Sequence, residues 1–501
     1  MKSARSYWIF LILGILLRSV ALNQPLVDAH LLRQCQTAAA TKSMIEQPGF
    51  PLTARIPWLG DLDAHFILEL PVYNYLVMSV HRLTGNLDLS GKMTSILLWA
   101  ISFGLLQSIW RRMLDREQTF WANLLFVFAP LEVFYGQAFM PEMLVQMLAF
   151  GFVLLAIRYD EAPTLARWVA CAAVGLIGLL VKLPEIAHLY LIPVVFIVRR
   201  HGWKEVFRPR YLVAAAATLT GMKAWSAYMD SVNMAFLPEW TSKEALRGFI
   251  GPLSSRFHLK PWAMVLAYLS AFAVTGPAAL AAAYGAWVFV RKQQRLPLLG
   301  IWLFSLAVFY VLWFGNAASA QSYYNLPAMA PLCALFGFGM SAVLAWAKTA
   351  RWRRTAAVMA VLLLLLSSIP VVTYLFKQDR RILDASRWAD GHTLPGDVIL
   401  FRPNHRYDLA DYPYNPVAAY YSARPTFVWT RNTPDTYRRL ALERARYAIV
   451  TMPPPTEPDT WYDVFNRFRG ASAPQPESLD WLESAGFRKR ETADGFVIFG
   501  R

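Results

Sequence analysis

Apolar residues run in long blocks through the first three quarters of the chain, separated by short polar or basic segments. The blocks lie at 8–22, 93–109, 119–136, 142–157, 167–181, 186–198, 211–225, 261–290, 297–315, 326–347 and 355–376. A spanning helix needs about 20 mainly apolar residues to cross roughly 30 Å of hydrocarbon, so the shorter blocks must extend into semi-polar flanks. The pattern predicts a multi-pass α-helical membrane protein with about eleven transmembrane helices. No small-residue cleavage site follows the first block, which is therefore expected to stay as a helix rather than leave as a signal peptide.

After Phe376 charges are spread evenly and no spanning block recurs. "DVILF" (397–401), "TFVWT" (426–430) and "YAIVT" (447–451) have the β-branched and aromatic content of short buried strands. Helices are expected over 380–390, 416–422, 433–445 and 478–485. Alternating helix and strand predicts a soluble α/β domain over 377–501 with a mostly parallel sheet. The membrane part is expected over 1–376, with a long first loop at 23–92. That loop should hold a helix over 31–46, a Pro/Gly break at "QPGFP" (47–51) and an amphipathic stretch at 63–83, with Trp58, Tyr73 and Tyr75 at headgroup depth.

Composition agrees with this pattern. The 501 residues are 56% hydrophobic and 16% charged, against about 25% charged in soluble domains. The net charge of +16 would suit nucleic acid, but its distribution points elsewhere. Basic residues gather at Lys2 and Arg5, at Arg111, Arg112 and Arg116, and at Arg199, Arg200, Lys204, Arg208 and Arg210. Further groups are Arg291, Lys292 and Arg295, and Lys348, Arg351, Arg353 and Arg354. If the blocks alternate across a membrane, all these segments share one side. The positive-inside bias then puts the N-terminus in the cytoplasm, with 23–92 and 377–501 outside, and excludes a nucleic-acid partner. Cys35, Cys171 and Cys333 are too few and scattered for a disulfide framework or a metal motif.

Ionisable groups at membrane depth are costly and commonly functional, and four outward turns carry them. Asp28, His30 and Arg33 follow the first block, and Glu142 opens the fourth in "QAFMPEML" (137–144). Lys182 and Glu185 mark the turn "LLVKLPEIAH" (179–188), and Tyr323 and Tyr324 stand in "AQSYYNLPAMAP" (320–331). Taken singly, each has a plain structural explanation. An acid at a helix end can be a cap, Arg33 and Lys182 can snorkel to headgroups, and the tyrosines can belong to an aromatic belt. Their order along the chain gives them weight together.

That ordered set resembles the GT-C class of glycosyltransferases that use polyprenyl-phosphate sugars. It is similar to the bacterial branch of the protein O-mannosyltransferase superfamily, which includes the lipid A aminoarabinose transferases. The segments that carry the resemblance are "DAHLLRQCQTAA", "ELPVYNYLV" (69–77), "FMPEML", "LVKLP" and "YYNLPAMAP". The resemblance implies that Asp28 is a general base on the acceptor and that Glu142 is a second catalytic acid. It implies substrate contacts from His30, Arg33, Gln34, Glu69, Lys182, Tyr323 and Tyr324, with Arg33, Lys182 and Tyr324 toward the lipid-linked phosphate. One departure stands out: the aminoarabinose transferases carry a phosphate-contacting Lys where this chain has Leu70.

The implied reaction is an inverting single displacement on the outer face of a bacterial inner membrane. It moves a sugar from a polyprenyl-phosphate donor to an envelope lipid, glycan or protein. Phosphate is the leaving group, so cations rather than a strong acid would stabilise it. Some relatives use a divalent cation, which would sit near Asp28 or Glu142. "GDLDAHFILE" (60–69) matches no standard metal spacing and reads as a solvated face. The alternative is a transporter or flippase of lipid-linked sugars. Paired halves with broken helices at the midplane would mark one, and the sequence shows no such pairing.

Overall fold

The computed structural model describes residues 2–47, 49, 51–292, 297–317, 321–403, 415–430, 433–452, 479–493 and 495–501. In chain order the first elements are α1 (Lys2–Ser19), α2 (Leu31–Glu46), strands β1 (Ala54–Arg55) and β2 (His65–Phe66), and α3 (Val72–Thr84). They continue with α4 (Leu87–Trp110), α5 (Arg116–Phe128), α6 (Pro130–Tyr135), α7 (Glu142–Glu161) and α8 (Leu165–Val181). Two compact units form. One joins Met1–Gln24 with Ile67–Phe376, and the other joins Pro25–Phe66 with Lys377–Arg501.

The first unit is helical. Among the described residues four helices are long and apolar enough to cross a membrane: α4, α7, Ser322–Ala345 and Ala350–Leu375. Leu165–Val181 and Leu298–Leu312 are apolar but shorter. Three blocks that read as single spans are broken, and each break has a local cause. Block 119–136 divides at Ala129, whose extended backbone (φ −60, ψ 130) precedes Pro130, as the ring of a following proline requires. Block 186–198 holds the end of a short helix, a 3-10 turn at His188–Tyr190 and then Leu191–His201. Block 261–290 holds Leu259–Ala273 and Gly276–Arg291, bent by 111° where Thr275 takes a left-handed φ of 63. Arg295, read with the basic clusters, lies outside the described residues.

Close helix approach stabilises this unit where side chains are smallest. A Cβ on Gly285 would collide with the Leu335 carbonyl, and one on Gly339 with the Ala281 carbonyl. The helices Gly276–Lys292 and Met329–Ala345 therefore meet backbone to backbone, the packing expected where dispersion rather than water exclusion drives association. Under α4 and α5 the buried rings of Trp99, Phe103 and Phe126 stack at centroid distances of 5.5 to 6.1 Å.

In the second unit, β3 (Ile399–Arg402), β4 (Thr426–Val428), β5 (Tyr447–Thr451), β6 (Arg488–Ala493) and β7 (Phe496–Gly500) form one sheet in the order β4-β3-β5-β7-β6. β3 pairs in parallel with β4 and β5, while β7 runs antiparallel to β5 and β6. The sheet is mixed rather than mostly parallel. The added hairpin escaped the sequence reading because β6, "RKRETA", has no buried residue and so no apolar alternation. Helices at Arg381–His392, Val417–Tyr421, Asp435–Arg444 and Asp480–Ser484 accompany the sheet. Residue 478, the start of the last expected helix, lies outside the described residues.

The segment Pro25–Phe66, read from sequence as a loop of the membrane part, packs on this α/β body. Leu26 N–H donates to Tyr421 Oη at 2.6 Å. Asp379 N–H donates to the Val27 carbonyl at 2.7 Å, and Gly60 N–H to the Thr426 carbonyl at 2.9 Å. Gly60 has a φ of 65, and a Cβ there would overlap the Phe427 ring. Glycine is thus required twice over at that position.

Candidate active site

Two groups of candidate residues form, one in each unit. In the α/β unit, Asp28 is 4% exposed, and its Oδ1 accepts a hydrogen bond of 2.5 Å from Gln34 Nε2. The same amide donates to the Ala29 carbonyl at 3.1 Å. His30 stands between them in a left-handed conformation (φ 59, ψ 28) at the N-cap of α2. Non-glycine residues seldom adopt it, and here it reverses the chain so that Gln34, on the first turns of α2, faces back to Asp28. Arg33 Nη1 donates to Gln36 Oε1 at 3.1 Å. Asp28, His30 and Gln34 therefore form one local constellation, with Arg33 on the same helix. The nearby acids Asp61 and Asp63 pair with Arg444 at 2.7 Å and Arg55 at 3.1 Å, as a solvated face does.

In the helical unit, Glu142, Lys182, Tyr323 and Tyr324 come together. The sequence "LVKLP" explains why Lys182 is available there. Pro184 sits in the first turn of the next helix (Leu183–Ala187) and α8 ends at Val181, leaving Lys182 extended (φ −158, ψ 95) between the two. Its ammonium lies 2.8 Å from Glu142 Oε1 and 2.8 Å from Glu185 Oε1. It also stands 4.5 Å and 4.9 Å from the ring centroids of Tyr323 and Tyr324, within cation–π range. Glu142 opens α7 after Pro141, where the helix dipole favours a carboxylate. Glu69 is half-buried, and the adjacent Leu70 N–H donates to the Leu180 carbonyl at 3.2 Å. The position at which relatives carry a lysine thus lies against the end of α8, two residues before Lys182.

Of these side chains, Glu142, Lys182, Glu185 and Tyr323 line one cavity. Its polar edge is Glu142, Gln146, Lys182, Glu185 and His188, and its other walls are mainly apolar, among them Phe150 on α7 and Trp302 on the helix Pro297–Leu312. Small-molecule pockets have this composition: mostly apolar walls, with a few polar groups that fix orientation. Burial pushes the Lys182 ammonium down, but the Glu142 and Glu185 carboxylates more than offset it, and its pKa ends above the ordinary lysine range. Burial pushes the Glu185 carboxyl up, against the pull of Lys182. One ammonium thus sits between two carboxyl groups.

The sequence reading set Glu185 at the turn without assigning it to the site, and it missed Gln146, His188 and Trp302. Gln146 is four residues after Glu142 on α7, so helical spacing would have found it, and Glu185 is only three residues from Lys182. Trp302 had no such signal. Among the described residues no three His, Cys, Asp or Glu side chains cluster closely enough to hold a metal ion.

The dolichyl-phosphate-mannose-protein mannosyltransferase family model matches residues 69–227, which include Glu69, Glu142 and Lys182. A comparison with curated protein sequences finds no match. Among solved structures, ArnT from Cupriavidus metallidurans bound to undecaprenyl phosphate superposes with a TM-score of 0.60 at 14% identity. The match covers 98% of this chain and 97% of that one. The oligosaccharyltransferase AglB from Archaeoglobus fulgidus, in complex with an inhibitory peptide and a dolichol-phosphate, gives 0.52 at 11% identity, covering 89% and 69%. The chain has the fold of the GT-C glycosyltransferases, the class its ordered motifs resemble.

Proposed function

We propose that the protein is a membrane glycosyltransferase. In this reading it moves a sugar from a polyprenyl phosphate to an envelope lipid, glycan or protein, on the outer face of a bacterial inner membrane. About eleven spans, with the N-terminus in the cytoplasm, would give the chain that orientation, and membrane lipids would surround it. The observation that carries the reading is the buried Lys182 ammonium at the polar edge of an otherwise apolar cavity. Such a cavity suits a ligand with a lipid portion and an anionic head.

An entering phosphate exchanges for a carboxylate at Lys182, whose ammonium meets it as a compact point charge, and Arg33 is a separate candidate whose planar fork suits an anionic group. As the glycosidic bond to phosphate breaks, charge grows on the leaving oxygens, and a fixed ammonium stabilises that growth without protonating them. Asp28 takes the proton from the acceptor hydroxyl as it attacks the anomeric carbon. Gln34 orients that carboxylate, and His30 shapes the turn that presents it. One displacement inverts the configuration. Glu142 sets the position of Lys182, Tyr323 and Tyr324 cover the ammonium, and Glu69 lies at the adjoining segment.

The test uses purified protein with undecaprenyl-phosphate monosaccharides and an envelope fraction as acceptor. Release of undecaprenyl phosphate together with a glycosylated acceptor supports the reading. Lipid movement between leaflets of a vesicle without any covalent product would favour the transporter instead.

A further inference from the structure

Gln146 lines the cavity one helical turn beyond Glu142 and is 6% exposed. Its Nε2 donates to both oxygens of Glu132, at 3.2 Å and 3.4 Å. Glu132 is fully buried and accepts a second hydrogen bond, of 3.1 Å, from Trp99 Nε1. The Arg18 guanidinium lies 3.6 Å from the centroid of that indole, and Arg18 in turn donates to the Gly14 and Val127 carbonyls. A carboxylate accepts and an indole N–H donates, so this chain of contacts fixes which way the Gln146 amide points. Its N–H₂ must face Glu132. Its Oε1 is left with no hydrogen bond, though buried. Glu142 Oε2 is in the same condition. Gln146 and Glu142, both lining the cavity beside Phe150, Trp302 and Tyr323, thus each keep a buried acceptor without a donor.

A buried acceptor left unpaired costs about 1–3 kcal/mol, and a ligand hydroxyl removes that cost. From this we infer that Gln146 is a sugar-recognition residue of the donor site, accepting a hydrogen bond through Oε1 from a hydroxyl of the donor's sugar ring. Glu132 is the positioning residue that holds the amide in the accepting orientation. The inference rests on the glycosyltransferase reading, and it names which part of the donor this wall reads.

The probes are undecaprenyl phosphate and its mannosyl, glucosyl and arabinosyl derivatives, titrated into detergent-solubilised full-length protein and followed by thermal shift. The wild type should bind at least one sugar-bearing lipid at least about tenfold more tightly than the bare one, the effect of relieving one unpaired buried acceptor. Gln146→Met should abolish that difference while binding bare undecaprenyl phosphate as before, which also reports that the variant is folded. Gln146→Leu is the second test should the methionine variant fail to fold. Glu132→Gln should lose the preference as well, because its new amide can donate to Gln146 Oε1 and occupy it. A preference that survives in the Gln146 variants, or its absence from the wild type with all three sugars, overturns the inference. Failure of the wild type to bind bare undecaprenyl phosphate overturns the function reading beneath it.

Discussion

Removing the Lys182 ammonium isolates the strongest electrostatic claim of the candidate site. The side chains of Glu142, Glu185 and Lys182 are 2%, 6% and 13% exposed, so water screens the group poorly. Deleting one partner of a buried ion pair costs about 3–5 kcal/mol, because an uncompensated charge stays behind. At roughly 2 °C per kcal/mol for a large domain, Lys182→Met should lower the unfolding midpoint by about 6–10 °C. Substituting Met at 182 and Gln at both 142 and 185 removes every charge at once. That variant should return to within about 2 kcal/mol of the wild type.

The pH dependence of the Lys182→Met deficit has a definite sign. Burial pushes the folded-state pKa of Glu185 above its unfolded value and Lys182 opposes that rise, so without the ammonium the folded state binds more protons and stability falls as pH rises. The deficit should therefore shrink as pH is lowered toward the carboxylate range. Tryptophan fluorescence or a thiol-reactive dye in detergent reads the midpoint. A Lys182→Met midpoint within about 1 °C of wild type, or a triple variant as unstable as the single one, would refute the buried triad.

Asp28→Asn should leave folding intact and cut transfer by about 10²–10⁴-fold, the usual range for losing a general base; turnover within threefold of wild type removes Asp28 from that role. Gly339→Leu should cost more stability than Gly300→Leu, because a Cβ at 339 meets the Ala281 carbonyl while one at 300 has room; equal midpoints would contradict the backbone-to-backbone packing. Ending the chain at Gln378 removes Tyr421, Asp379 and Thr426, which hold the segment 25–66. Limited proteolysis should then cut between 25 and 66, and a segment still resistant would show that it folds without the tail. Reporters fused at about 205 should read cytoplasmic and those at 245 and 440 external; an external signal at 205 inverts the orientation.

The hydrophobic pattern made the helical architecture legible. The starts of α7 and of the turn after α8 were readable because Pro141 and Pro184 punctuate them next to Glu142 and Lys182. That Lys182 and Glu142 share one cavity with Tyr323 was legible only as an order of motifs, since tertiary packing brings together residues far apart in the chain. The breaks at Ala129 and Thr275 were hidden inside apolar blocks, where periodicity cannot report a bend. The association of 25–66 with the tail left no local trace either. It runs through backbone donors and acceptors such as Val27 and Thr426, whose side chains say nothing about a partner 350 or more residues away. The Gln146–Glu132–Trp99 chain is polar matter buried among apolar helices, and its members come from three of them.

The central claim is covalent transfer from a lipid-linked donor, and mass spectrometry of the products tests it most directly. Purified wild-type protein and Asp28→Asn would be incubated with undecaprenyl-phosphate monosaccharides and envelope acceptor. The account predicts an acceptor gaining the mass of one sugar, with bare undecaprenyl phosphate released in equal amount, and neither product from Asp28→Asn. Intact donor recovered from the wild type alongside unmodified acceptor, for every sugar and envelope fraction tried, would contradict it.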